Sequence, residues 1–103
     1  MSEIDKFEQL FKKSLPLFTA LGDSTRQKLI LMMSKGEQRS VKQLTAGTHL
    51  SRPTVSHHLK ILKKAHIVVE QKNGREIFYH LQPGEYYHIV KELMDMIDQS
   101  INQ

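Results

Sequence analysis

A chain of 103 residues with 39% hydrophobic and 25% charged side chains and a formal charge of +4 fits one small folded domain, for which burial against a second copy would be a gain. The absence of cysteine excludes disulfides, thiolate metal ligands, thiol nucleophiles and thiol redox switches. No stretch approaches the ~20 apolar residues of a membrane span, and the start, Met1-Ser2-Glu3-Ile4-Asp5-Lys6, lacks the apolar core of a signal peptide, so a cytoplasmic protein with no membrane partner is expected.

From about Glu3 to Leu15, Ile4, Phe7, Leu10 and Phe11 recur at helical spacing with Lys6, Glu8, Lys12 and Lys13 elsewhere on the wheel, which predicts an amphipathic helix. Pro16 sets its end, because proline lacks the N–H a helix interior needs, and Leu17 to Leu21 form a short helical piece that stops at Gly22. Asp23 or Ser24 caps a further helix, whose Leu29, Ile30, Met32 and Met33 lead to a stop at Gly36. Ser40-Val41-Lys42-Gln43 has the form of a capping box and opens a short helix ending near Gly47. Ser51 is the next N-cap, and Pro53 is accepted in the first turn, where its missing N–H has no helical partner. The helix then runs to about Lys64 with Val55, Leu59 and Leu62 on one face.

The period then changes. Ile67-Val68-Val69 and Ile77-Phe78-Tyr79 are β-branched and aromatic runs flanking Lys72-Asn73-Gly74-Arg75, and Asn73-Gly74 predicts the centre of a type I′ hairpin turn. Ile77, Tyr79 and Leu81 share one strand face, and His80 alternates away from it. Pro83-Gly84 closes the hairpin, and a last helix from about Glu85 to Ile101 carries Tyr86, Ile89, Val90, Leu93, Met94, Ile97 and Ile101. At 1.5 Å per residue this helix is roughly 25 Å long, more than a small hairpin can cover. Phe7, Leu10 and Phe11 with Tyr86, Ile89, Val90, Leu93 and Ile97 are therefore the expected homodimer interface.

Two short helices joined by a tight turn and followed at once by a hairpin describe a winged helix-turn-helix, mainly α with a small β-hairpin wing. Residues 1–103 form one such domain, with 40–64 as the helix-turn-helix, 67–81 as the wing, and 3–15 and 85–101 as dimerisation helices. Between Arg39 and Arg75 eight basic residues, Arg39, Lys42, Arg52, Lys60, Lys63, Lys64, Lys72 and Arg75, stand against one acid, Glu70. Such clustering is the electrostatic footprint of a surface that meets double-stranded DNA. Arg52, Thr54, Ser56 and His57, beginning from the cap Ser51, are the candidates for reading base edges, and Lys42, Lys60, Lys63, Lys72 and Arg75 for phosphates. His58 points about 100° away from His57 on the helix and is expected to be a partly buried structural residue.

These stretches also resemble a known family. Leu17-Phe18-Thr19-Ala20-Leu21-Gly22-Asp23-Ser24-Thr25-Arg26 and Leu50-Ser51-Arg52-Pro53-Thr54-Val55-Ser56-His57-His58-Leu59-Lys60-Ile61-Leu62 are similar to hallmark segments of the ArsR/SmtB-type repressors. Gly74-Arg75 followed by Phe78-Tyr79-His80-Leu81 is similar to that family's wing, and the likeness runs from about Leu17 to Pro83. It implies a dimeric transcriptional repressor whose first and last helices form the interface. The likeness fails at the family's metal sites. Gln38-Arg39-Ser40-Val41-Lys42 has no Cys-x-Cys, and Tyr86, Gln99 and Asn102 replace an Asp, a His and a Glu of the last helix, leaving His88 alone. No metal or cofactor is expected, and the effector is left open. No nucleophile elbow, phosphate loop or paired-carboxylate frame points to an enzyme. Two alternatives stand beside the repressor: a winged-helix module that binds protein, and a DNA-binding metal sensor built on His88 with Glu85 or Glu92.

Overall fold

A computed structural model describes residues 2–82, 84 and 86–101. Pro83, Glu85 and Asn102, which carried parts of the sequence reading above, lie outside the described residues. The first helix, α1, spans Glu3–Leu21 and opens on a capping box, in which Ser2 Oγ accepts from Asp5 N at 3.1 Å and the Asp5 carboxylate accepts from Ser2 N at 3.4 Å. The helix continues past Pro16, contrary to the boundary expected there. Proline's fixed φ is itself helical, so the costs are the hydrogen bond that the Lys12 carbonyl would have received and the crowding of that carbonyl by the ring, both on a turn where Lys12 and Pro16 are exposed.

Helix α2 (Ser24–Met32) is capped by Asp23, whose carboxylate accepts from Arg26 N at 3.0 Å. A 3₁₀ turn over Ser34–Gly36 leads into β1 (Arg39–Ser40), which the sequence reading did not anticipate because two residues carry no periodicity. The expected capping box then forms: Ser40 Oγ accepts from Gln43 N at 3.0 Å, the Gln43 side chain accepts from Ser40 N at 2.9 Å, and α3 (Val41–Ala46) follows. Helix α4 (Arg52–Lys64) starts at the predicted Ser51 cap. Its end is a left-handed turn at His66, φ 58°, with His66 N donating to the Lys63 carbonyl and Ile67 N to the Leu62 carbonyl, both at 3.0 Å.

Strands β2 (Val68–Asn73) and β3 (Glu76–Leu81) pair antiparallel from Val68↔Leu81 to Asn73↔Glu76, and β1 joins the free edge of β3, so the wing is a three-stranded sheet of order β1-β3-β2. The register moves the turn one residue on, to Gly74-Arg75, and only Gly74 has a positive φ, 64°. That is the signature of a type II′ turn with glycine in the first central position, not the type I′ turn centred on Asn73-Gly74. Tyr79 is buried as its strand face predicts, with Ile77 and Leu81 partly so. His80 is half-buried on the opposite face, and its Nδ1 is closed off from solvent.

The core lies where α2, α3 and α4 meet the sheet, and Leu29, Met33, Leu44, Val55, Leu59 and Leu62 are all 0% exposed. The last helix, α5 (Tyr86–Ile101), packs beside α1, with the α1 C-terminus near the α5 N-terminus. Leu10 on α1 and Leu93 on α5 are buried within the single chain, at 8% and 1% exposure. Phe7 stacks on Phe11 at 5.4 Å between ring centroids. Among the described residues, no helix is long and apolar enough to cross a membrane.

Candidate nucleic-acid interface

Helices α3 and α4, with the Gly47–Leu50 connection between them, present α4 on the surface. Ser51 Oγ accepts from Thr54 N at 3.4 Å and shares a 2.9 Å hydrogen bond with Thr54 Oγ1, so the two hydroxyls are held together at the first turn. With Val55, Leu59 and Leu62 turned into the core, Arg52, Thr54, His57 and Lys60 are exposed on the other side, while Ser56 is half-buried. Helical periodicity is the reason: an apolar stripe that anchors one side leaves the polar residues of the remaining arc in solvent.

Lys42 in the first turn of α3, Arg52 at the start of α4 and Arg75 in the wing turn all line one cleft of about 110 Å³, which also touches Ser40, Val41, Glu76 and Ile77. Three cations from three different elements around a single concavity make a local site for anions, with Glu76 as the one acid on its wall. Lys72 is exposed on β2 opposite Ile77. The structure therefore brings together Lys42, Arg52 and Arg75, and sets Thr54, His57 and Lys60 alongside on α4.

Lys63 differs from the other cations. Its ammonium donates to Glu70 Oε2 at 2.7 Å, and the Tyr79 hydroxyl donates to the same oxygen at 3.4 Å. The Lys63 hydrogen bond holds the Glu70 carboxyl below its ordinary range, against the opposing effect of burial. Burial, and then the charge of Glu70, push the Tyr79 hydroxyl up to about 12. Glu70 thus ties the last turn of α4 to the sheet. In the sequence it registered only as the lone acid in a basic stretch, the one signal that it has a partner there.

His58 is half-buried, as expected, with Nδ1 3.1 Å from Arg26 Nη1 and 3.9 Å from Asp23 Oδ2. His57 points to solvent, its ring tilted 59° from that of His58. Arg26 stands in the sequence only as the end of a family-like segment, because its partners lie on α1 and α4 and nothing local marks them. His88 and Glu92 are exposed on α5, His88 lying edge-on to Tyr87, and among the described residues no three His, Cys, Asp or Glu side chains gather as a metal site.

The family model described as bacterial regulatory protein, ArsR family, matches residues 23–69. An uncharacterized HTH-type transcriptional regulator of Methanocaldococcus jannaschii is 33% identical over 89 residues, covering 86% of this chain and 96% of that protein. The transcriptional repressor SdpR of Bacillus subtilis is 30% identical over 86 residues, covering 84% of this chain and 94% of its own. In fold, the chain is similar to the ArsR-like transcriptional regulator from Rhodococcus sp. RHA1, with a TM-score of 0.77 at 24% identity over 89% of this chain and 84% of that one.

Proposed function

Because the chain belongs to the ArsR family of bacterial regulatory proteins and is a DNA-binding transcriptional regulator, we propose that it represses transcription as a homodimer bound to an imperfect palindrome. The two α4 helices would enter successive major grooves, with half-site centres about 34 Å apart. The observation that carries this reading is the cleft shared by Lys42, Arg52 and Arg75, which joins both helices of the helix-turn-helix and the wing into one cationic surface. Arg52, Thr54, Ser56 and His57 supply base readout, with Ser51 fixing the helix start. Lys42, Lys60, Lys72 and Arg75 supply phosphate affinity. Duplexes selected by the protein from a random pool should converge on a two-fold symmetric sequence and bind with an affinity that falls steeply with salt. Selection that returns no common sequence sinks the reading.

Dimerisation rests on the arm formed by α1 and α5. A Cα radius of gyration of 16.4 Å exceeds the ~13 Å of an equally long compact domain. Ile4, Phe11, Leu15, Phe18, Met94 and Ile101 on these helices are exposed, the kind of apolar surface that a second copy would cover. Phe7, Tyr86, Ile89, Val90 and Ile97 lie half-buried beside them and complete the interface. A charge placed in that face has no partner, so Phe11→Asp should convert a dimer into a species of the 12.0 kDa chain mass by light scattering. A wild-type protein that is itself monomeric at micromolar concentration overturns the homodimer.

The Lys63–Glu70 pair gives a separate expectation. Lys63, meant by the sequence for phosphate, is neutralised by a carboxylate in the free protein. Glu70→Gln releases it and should steepen the salt dependence of DNA binding by about one unit. The same change should flatten part of the acid limb of stability. The Glu70 pKa is depressed, so its contribution is present above the unfolded carboxylate range and is lost as pH falls through the folded value. With Lys63 half in solvent that contribution is at most about 1 kcal/mol, read by chemical denaturation at neutral and acid pH.

A further inference from the structure

The α1–α5 arm and α4 are joined through one side chain. The last carbonyls of a helix have no intrahelical donors, and here α2 supplies them: Arg26 Nε donates to the Ala20 carbonyl at 2.8 Å, Arg26 Nη2 to the Thr19 carbonyl at 2.9 Å, and Gln27 Nε2 to the Leu21 carbonyl at 2.7 Å. A cation at this end also meets the negative pole of the helix dipole. The remaining guanidinium nitrogen, Nη1, lies 3.1 Å from His58 Nδ1 in the middle of α4. A guanidinium only donates. The contact is thus a hydrogen bond only with Nδ1 as the acceptor, the arrangement of a neutral ring with its hydrogen on Nε2.

We propose that Arg26 is a positioning residue for DNA binding, which sets the rotation of α4 against the end of α1 by donating to a neutral His58. This rests on the reading of α4 as the DNA-facing helix. His57, the adjacent residue, faces solvent with the base-reading set, so a small roll of α4 that frees His58 moves those side chains as well. Proton uptake at Nδ1 ends the arrangement, since the ring then carries a donor where it had an acceptor and sets a positive charge against the guanidinium. The groups facing His58 are Arg26 of α2, its cap Asp23, and His57 of α4. The backbone N–H of Arg26 holds the Asp23 carboxyl below its ordinary range, so it stays ionised as pH falls and draws the protonated ring away from Arg26.

The test uses the full chain and a duplex it selects, with affinity measured by fluorescence anisotropy at about pH 8 and about pH 5, the range in which imidazoles titrate. His58→Asn keeps an acceptor oxygen near the Nδ1 position and cannot titrate. His57 is present in both proteins and its own titration cancels in the comparison. His58→Asn should match the wild type at the higher pH and bind at least ~5-fold more tightly at the lower one, while Arg26→Met should bind about 10-fold more weakly than the wild type at the higher pH, the loss expected for one charge-assisted hydrogen bond, with a smaller deficit at the lower one, where the wild type has lost that bond too. Imidazole ¹⁵N shifts should place the neutral His58 hydrogen on Nε2 in the wild type and on a mixture of both nitrogens in Arg26→Met. If His58→Asn shows the wild-type pH dependence, or if Arg26→Met leaves both affinity and tautomer unchanged, the proposal is overturned. Should Arg26→Met fail to fold, the His58→Asn comparison decides alone. A wild type that cannot tell its selected duplex from a scrambled one at any pH overturns the DNA-binding reading instead, and the ¹⁵N shifts then decide the Arg26–His58 bond by themselves.

Discussion

Leu59→Ala should destabilise the protein by about 3 kcal/mol, read from urea or thermal unfolding, and should abolish DNA binding well below the unfolding midpoint of the wild type. The side chain is fully buried among Leu29, Met33, Leu44 and Leu62, and removing three carbons there loses transfer free energy and leaves a cavity that rigid neighbours only partly close. A domain of this size has a total stability of roughly 5–15 kcal/mol, so the loss is a large fraction of it. The effect is functional as well as global, because Leu59 is one of the three residues, with Val55 and Leu62, that seat α4 on the body. Lys60→Ala is the control: one residue further on, the side chain is in solvent, and its removal should change stability by less than about 0.5 kcal/mol. Leu59→Ala costing under 1 kcal/mol would mean that α4 is held by something other than its aliphatic stripe.

What the sequence disclosed and what it hid divide along a physical line. Ser40 with Gln43 and Ser51 with Pro53 are local signals, three residues or fewer apart, and the helices start where those signals put them. The apolar stripe of α4 is equally local and left the right residues outside. The wing turn came within one residue: Asn-Gly is the stronger turn dipeptide in isolation, but the pairing of Asn73 with Glu76 sets Gly74 one place earlier in the turn than expected. Strand β1 exists only because β3 has a free edge to pair with. Pro16 was given the weight it has in an isolated helix, whereas here α1 is held along its length by α5 and by α2. The largest omissions were pairwise and distant. Arg26 meets His58 thirty-two positions away, and Lys63 meets Glu70 across the end of α4 and the start of β2. Neither pair leaves a periodic trace, so the sequence marks Lys63 only as a cation for phosphate and Arg26 only as part of a family-like segment.

Arg52→Ala and Arg75→Ala should both weaken binding to the selected operator, and they should do so in different ways. A bidentate arginine–guanine contact is worth about 1–3 kcal/mol of discrimination, so Arg52→Ala should lower operator affinity by about 10-fold or more. Affinity for a scrambled duplex should fall much less, and the preference for one base in each half-site should vanish. Arg75, at the wing turn, should lose affinity for all duplexes alike and reduce the salt slope by about one unit. The cleft puts this difference under strain, since Arg52 and Arg75 share its wall with Lys42, and a phosphate lying there would draw on all three charges at once. Residues that share a partner do not act additively. The double variant Arg52→Ala/Arg75→Ala therefore separates the two arrangements. If Arg52 reads a base, the two losses add and only the Arg75 part disappears at high salt. If both arginines hold the same phosphate, the double variant is little worse than either single one, Arg52→Ala leaves base preference intact, and readout passes to Thr54 and His57 on the exposed side of α4.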